Sequence, residues 1–232
     1  MIFYLGSPGN QMHAREVRDM PVLVSFAIYA KWMDDYVPSF SRVLIDSGAY
    51  SEFNSGKKID GDAYLEWQSR WRETVHVDAI AGLDDIAGDW RKSLRNYELY
   101  GGFPTFHESD PPELLDDLIP ISRERGNWLG IGLIPPRSGK WAFVRRTLDR
   151  VPDGVHVHIW AGGEYCGHSR VDSVDSTNWF RDAFALKSAR LTAHLTTAEC
   201  VEIVVKRYQR EQRKPYPRAT ESANLFSEEA IA

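Results

Sequence analysis

The chain has 232 residues, 43% of them hydrophobic and 26% charged, and 28 basic against 33 acidic side chains leave a formal net charge of −5. A chain of this length can bury roughly 70% or more of its unfolded surface, so a single domain needs neither a disulfide framework nor a structural metal to hold its core. The longest apolar run, Val22 to Ala30, is far short of the roughly 18 residues of a membrane span, and no charged-then-apolar leader opens the sequence, so a cytoplasmic protein without a membrane partner is expected.

In chain order, β-rich runs at Ile2–Leu5, Val22–Ile28 and Val43–Asp46 predict three strands, the first two joined by a tight connection from Gly6 to Pro21. Tyr64, Trp67 and Trp71 then share one helical face ahead of a strand at Val77–Leu83. Trp90, Leu94 and Tyr97 mark a second helix, which Gly101 and Gly102 can stop before a strand at Phe103–His107. Asp110 is placed to cap the next helix, with Pro111 at its first position, Glu113 at the capping-box position, and Leu114, Leu115 and Leu118 following. A strand at Trp128–Leu133 leads into Arg137 to Arg150, where Arg137, Lys140, Arg145, Arg146 and Arg150 face only Asp149. Strands at Val155–Trp160 and Val171–Asp175 follow, separated by another tight connection, Gly162 to Arg170.

Thr196, with Glu199 three residues on, opens a last helix with a buried stripe of Val201, Val204, Val205 and Tyr208. A second basic run extends from Lys206 to Arg218, and both basic runs are either solvated helix faces or phosphate-facing surfaces. Residues 1–213 are expected to form one domain and 214–232 a loose tail. Cys166 and Cys200 supply too few thiols for a four-cysteine zinc site, so a reduced compartment and ordinary packing are expected.

Apolar strands separated by helices imply a parallel sheet covered on both faces, and eight such runs suggest closure into a compact (β/α)8 TIM-like barrel. An open doubly wound sheet is the alternative. The two tight connections imply that one or two crossover helices are short or missing. In a barrel the strand C-termini carry function, and polar residues gather there: Asp46-Ser47-Gly48, Asp84-Asp85, His107, Gly132, His158-Ile159-Trp160 and Asp175-Ser176-Thr177. Any one Asp after a strand is ordinarily a helix cap, so the functional case rests on convergence.

Other chemistries fit less well. No Gly-x-Gly-x-x-Gly turn, P-loop or Gly-x-Ser-x-Gly elbow is present. His107, His156, His158, His168, Asp46, Asp84 and Asp175 include metal-ligand types, but His156-x-His158 has no matching His-x-His after the first strand. No metal and no cofactor is therefore expected.

The run Leu44-Ile45-Asp46-Ser47-Gly48-Ala49-Tyr50 resembles the Asp-Ser-Gly-Gly-Tyr/Phe signature of tRNA-guanine transglycosylases, and more closely their phage and bacterial relatives that act on 7-deazaguanines in DNA. Further matches follow in order. Ala79 to Asp84 is similar to the family's strand ending in a base-reading aspartate, Thr105-Phe106-His107 to the phage branch's Val-Phe-His element, and Gly130 to Leu133 to its Gly-Gly-Leu loop. Val157 to Gly162 and Ser173 to Trp179 resemble the next strand and the nucleophile segment. The tRNA enzymes' Cys-x-Cys-x-x-Cys and His zinc module is absent, Ala49 stands in place of the second glycine, and His107 in place of a glutamine.

The resemblance implies a base-exchange pentosyltransferase that replaces guanine in DNA with a 7-deazaguanine derivative, tRNA being the alternative polymer. It assigns Asp175 as nucleophile and Asp46 as acid/base, the division of labour of a retaining glycosidase pair. Asp84, Ser47 and the Gly132 backbone would read the base; Tyr50 and Trp160 would cover its faces; His107 and His158 would line the pocket. Arg137, Lys140, Arg145 and Arg146 would follow the phosphates. An N-glycosidic hydrolase and a binding barrel without turnover remain the other readings. Asp172 competes with Asp175 for the nucleophile position, because the two lie near one predicted strand and alternation puts them on opposite faces.

Overall fold

The computed structural model describes residues 1–74, 76–132, 140–165, 168–189 and 194–211. All eight predicted strands form: β1 Ile2–Leu5, β2 Pro21–Ser25, β3 Arg42–Asp46, β4 Val77–Ile80, β5 Thr105–His107, β6 Trp128–Gly132, β7 His156–Ile159 and β8 Ser173–Ser176. They make one parallel sheet in the order β4-β3-β2-β1-β8-β7-β6-β5. Each strand therefore lies beside its neighbours in sequence, with β1 against β8, which is the circular order of a TIM-like barrel. The sheet's two edges meet at a parallel bridge between Ala81 and Phe103, where Phe103 N–H donates to Ile80 (2.8 Å) and Gly82 N–H to Phe103 (2.8 Å).

Helical segments fill the connections unevenly. α1 Gln11–Glu16 is a turn and a half after β1; three 3₁₀ turns, Phe26–Ile28, Lys31–Asp35 and Val37–Ser39, replace a crossover helix after β2. α2 Ala49–Ser55 and α3 Gly61–Ser69 follow β3, α4 Trp90–Tyr100 follows β4, α5 Leu114–Glu124 follows β5 and α6 Lys140–Arg150 follows β6. After β7 only the 3₁₀ turn Gly163–Tyr165 is found among the described residues, and β8 leads into α7 Asn178–Ser188 and α8 Thr197–Glu211. Helices are thus cut short in the two tight connections and also between β2 and β3, where no short connection was expected. Leu133, Arg137, Cys166 and the predicted tail, 214–232, lie outside the described residues. No helix among the described residues is long and apolar enough to cross a membrane.

The period-2 alternation of each strand divides the core. Outward residues such as Phe3, Val24, Ile45, Phe106, Ile131 and Val174 pack under the helices, joined by Trp67, Tyr97, Leu115 and Val201. Inward residues Tyr4, Leu23, Leu44, Phe103 and Trp128 form a separate cluster inside the sheet. Below them Asp78 accepts from the Tyr4 hydroxyl and pairs with Arg42 at 2.7 Å, tying β1, β3 and β4 together.

Two predicted caps differ in outcome. Thr196 and Glu199 form the expected capping box: Glu199 N–H donates to Thr196 Oγ1 (3.2 Å) and Thr196 N–H to Glu199 Oε2 (2.6 Å). Asp110 does not cap α5. Its carboxylate instead accepts from the His107 backbone N–H at 2.8 Å, and the helix begins at Leu114 with no side-chain cap. The buried amide at the end of β5 claims the carboxylate, because leaving it unpaired would be costly.

Candidate active site

A cavity of about 350 Å³ opens at the C-terminal ends of the strands. Asp46, Ser47, Tyr50, Asp84, His107, Gly132, Trp160 and Asp175 all line it, although they come from six strands or the loops after them. Eight of the nine residues named for catalysis or base binding are therefore brought together, and the exception is His158. The floor is apolar, from Leu23 and Ala81, and Ser7, Ser25, Ala161 and the Ser176–Asn178 corner complete the wall.

Asp46 ends β3 half-buried. Its carboxyl is pushed up to about 6, chiefly by burial; the Ser25 hydroxyl and Gly48 N–H bonds oppose the shift, while the charges of Asp84 and Asp175 add to it. Gly48 turns the chain there with φ 83°. A Cβ on it would lie 2.3 Å from that of Ala27, so both the left-handed backbone and the close approach demand glycine. Ala49 is the first residue of α2 and is buried, a helical position with no such demand. Ser47 is buried, with its Oγ accepting from Ala49 N–H at 3.4 Å.

Asp84 and Asp85 point apart. Asp85 pairs with Lys92 at 2.7 Å on α4. Asp84 Oδ2 lies 2.5 Å from His107 Nε2. Burial alone would depress the His107 pKa, but the Asp84 hydrogen bond and charge, with Asp110 and Asp85 adding, raise it overall. The ring fits because β6 is bare beside it: a Cβ on Gly132 would meet His107 Nδ1 at 2.0 Å. Gly130 does the same for Trp160, whose Nε1 would lie 2.6 Å from an added Cβ. Trp160 stacks on Phe103 at 5.9 Å and 8° and donates to Thr105 Oγ1 at 3.1 Å. Gly130 and Gly132 are thus inward strand positions that leave space for two rings.

Asp175 lies inside the mouth, 8% exposed, and its Oδ1 accepts from Ala161 N–H at 2.7 Å. Ala161 carries φ 51°, an uncommon conformation for a residue with a Cβ, and in it the N–H faces the carboxylate. Asp172 sits before β8, where its carboxylate accepts from Val157 N–H at 2.9 Å and lines a different cavity, at the N-terminal ends of β7 and β8. The predicted strand Val171–Asp175 starts two residues later and ends one later, at Ser173–Ser176, since Val171 closes a turn on His168. That register leaves Asp175 in the mouth cavity and Asp172 at the opposite end of the barrel.

His158 does not line the cavity. It is fully buried behind Asp175, its Nε2 3.4 Å from Asp175 Oδ1, because alternation on β7 puts it one layer below Trp160. Tyr50 stands at the rim, 51% exposed. Arg145 and Arg146 lie exposed on α6; Arg137 and the side chain of Lys140 lie outside the described residues. Sequence reasoning missed Ser25 and Ala161. Ser25 shares the inward parity of Leu23 and was legible; the Ala161 amide, a backbone group, was not.

No protein-family model, no curated protein and no solved structure matches this chain. Among the described residues no group of three or more His, Cys, Asp or Glu side chains could hold a metal ion.

Proposed function

We propose that the chain is a base-exchange transglycosylase that replaces guanine in DNA with a 7-deazaguanine derivative through a covalent aspartyl–sugar intermediate. The observation that carries the reading is the pairing in one cavity of two carboxylates with different environments. Asp46 is raised to about 6, and Asp175 has one oxygen held by a backbone N–H. Two such groups suffice for a retaining displacement at a sugar carbon.

In this mechanism Asp175 attacks the sugar C1′, the bond from C1′ to the base nitrogen breaks, and that nitrogen takes its electron pair and a proton from Asp46. The incoming base then gives its N–H proton to Asp46 and attacks C1′, and the ester oxygen leaves with its electrons on Asp175. No proton is gained or lost over the cycle. A carboxyl titrating near 6 suits both halves, since it must donate once and accept once near neutrality. Asp84, held at one oxygen by His107, offers the other to the N1–H and amino edge of a guanine-like base. Trp160 and Tyr50 flank it, and the exposed Arg145 and Arg146 suit a phosphate backbone from which the base has been flipped.

The test is incorporation of labelled 7-cyano-7-deazaguanine into DNA and, in parallel, into tRNA, with wild type and Asp175→Ala compared. Label in DNA that disappears in the variant is the expected result. Label in tRNA alone would reassign the polymer, and release of free guanine without uptake would identify a hydrolase. Binding without turnover, unchanged by Asp175→Ala, would leave a non-catalytic barrel.

A further inference from the structure

Behind Asp175 the barrel interior is polar. His156 and His158 project inward from β7, and Ser173 and Asp175 from β8, with His158 and Ser173 paired in register. Ser173 and His158 are both fully buried. Ser173 Oγ lies 3.0 Å from His158 Nδ1 and 3.0 Å from His156 Nε2. His158 Nε2 faces Asp175 Oδ1 at 3.4 Å and makes no hydrogen bond of normal geometry. His156 lines the second cavity, about 290 Å³ at the opposite end of the barrel, beside Asp172 and Arg170. A row of polar groups therefore runs from that end to the carboxylate at the mouth.

The row has a direction, because a serine hydroxyl has one proton and sits here between two imidazole nitrogens. If Ser173 gave its proton to His156, a neutral His158 would carry its own proton on Nδ1, and its bare Nε2 lone pair would face the Asp175 carboxylate. If Ser173 gives it to His158, the His158 proton lies on Nε2, between the ring and the carboxylate, and His156 donates its Nε2–H to Ser173. The second order replaces a repulsion with an attraction. Either order has a neutral His156, and burial holds its pKa down to about 4, Asp172 opposing and His158 adding to the shift, with smaller opposed effects of Asp78 and Arg42.

We propose that His156, Ser173 and His158 form an ordered hydrogen-bond relay, each donating toward Asp175, and that they act as positioning residues for that carboxylate. His158 Nε2–H and Ala161 N–H then both hold Oδ1, leaving Oδ2 turned to the cavity. The proton order is independent of the reaction; that Oδ2 is the attacking atom rests on the function proposed above.

The experiment is nitrogen-15 NMR of the histidine rings in the full chain at pH 7, which distinguishes the two neutral tautomers from the imidazolium. The expected result is a single neutral Nε2–H form at both His156 and His158, with Ser173→Ala moving the His158 Nδ1 signal to that of an unbonded nitrogen. An Nδ1–H form, a tautomer mixture or an imidazolium at His158 overturns the relay, as does an unmoved Nδ1 signal in Ser173→Ala. If that variant does not fold, the wild-type spectrum alone decides. A chain with ordered tautomers but no base exchange would retain the relay and lose the function, so the two failures are separable.

Discussion

His107 Nε2 and Asp84 Oδ2 lie 2.5 Å apart in the cavity wall, their side chains 5% and 10% exposed. A proton between them is largely out of bulk water. The His107 pKa is raised from its ordinary 6.5, so the native state binds that proton more tightly than the unfolded chain does. The stability this contributes is fully present below pH 6.5 and is lost as pH rises through the raised native value. Asp84→Asn should therefore destabilise by on the order of 1–3 kcal/mol at pH 6 and by less at pH 9. Urea unfolding at both pH values measures it, and a loss independent of pH would contradict the pairing.

Asp46 has the same sign with the opposite consequence for a mutant. Its native pKa, about 6 against an ordinary 3.8, makes ionisation unfavourable in the fold, so stability falls as pH rises from near 4 to 6 and stays reduced above. Asp46→Asn removes that penalty and should stabilise by about 1–3 kcal/mol at pH 8 with little effect at pH 4. The same substitution should abolish base exchange. Thermal unfolding at the two pH values, beside the incorporation assay, tests both halves.

Asp175 and Asp172 should separate cleanly. Asp175→Ala is expected to eliminate exchange and leave a folded barrel. Asp172→Ala removes the acceptor of Val157 N–H and a charge beside His156, and should lower stability by about 1–3 kcal/mol while exchange persists. Equal loss of exchange in the two folded variants would undo the assignment.

Gly132→Ala would place a Cβ 2.0 Å from His107 Nδ1. The ring must move or the strand must yield, at about 1–3 kcal/mol, and the His107 contact with Asp84 should break. A weaker fold with the His107 pKa returned toward 6.5 is the expected result, read by denaturation and by NMR titration of that ring. An unperturbed titration would show that the ring has room the geometry denies.

Tyr50, at 51% exposure, offers a contrast, since the function proposed here gives it a role in binding alone. Tyr50→Ala should change stability by no more than about 0.5 kcal/mol and raise KM for the base or the polymer with kcat nearly kept. A large fall in melting temperature would give Tyr50 a structural role instead.

The eight strands, the parallel α/β class and the clustering of Asp46, Asp84, His107 and Asp175 at strand C-termini could be read from the sequence alone, since alternation and spacing are local properties; barrel order over an open doubly wound sheet came from the structure. Tertiary structure decided what depended on competition between distant groups. The His107 amide, rather than α5, took the Asp110 carboxylate. A turn at His168 to Val171 shifted β8 and put Asp175 in the mouth with Asp172 at the opposite end. Gly130 and Gly132 became the space that Trp160 and His107 occupy. His158 passed from the pocket wall to the layer behind Asp175. In each case the deciding quantity was a contact of a few ångströms between segments far apart in the chain, where hydrogen-bond satisfaction and steric exclusion act and local pattern carries no information.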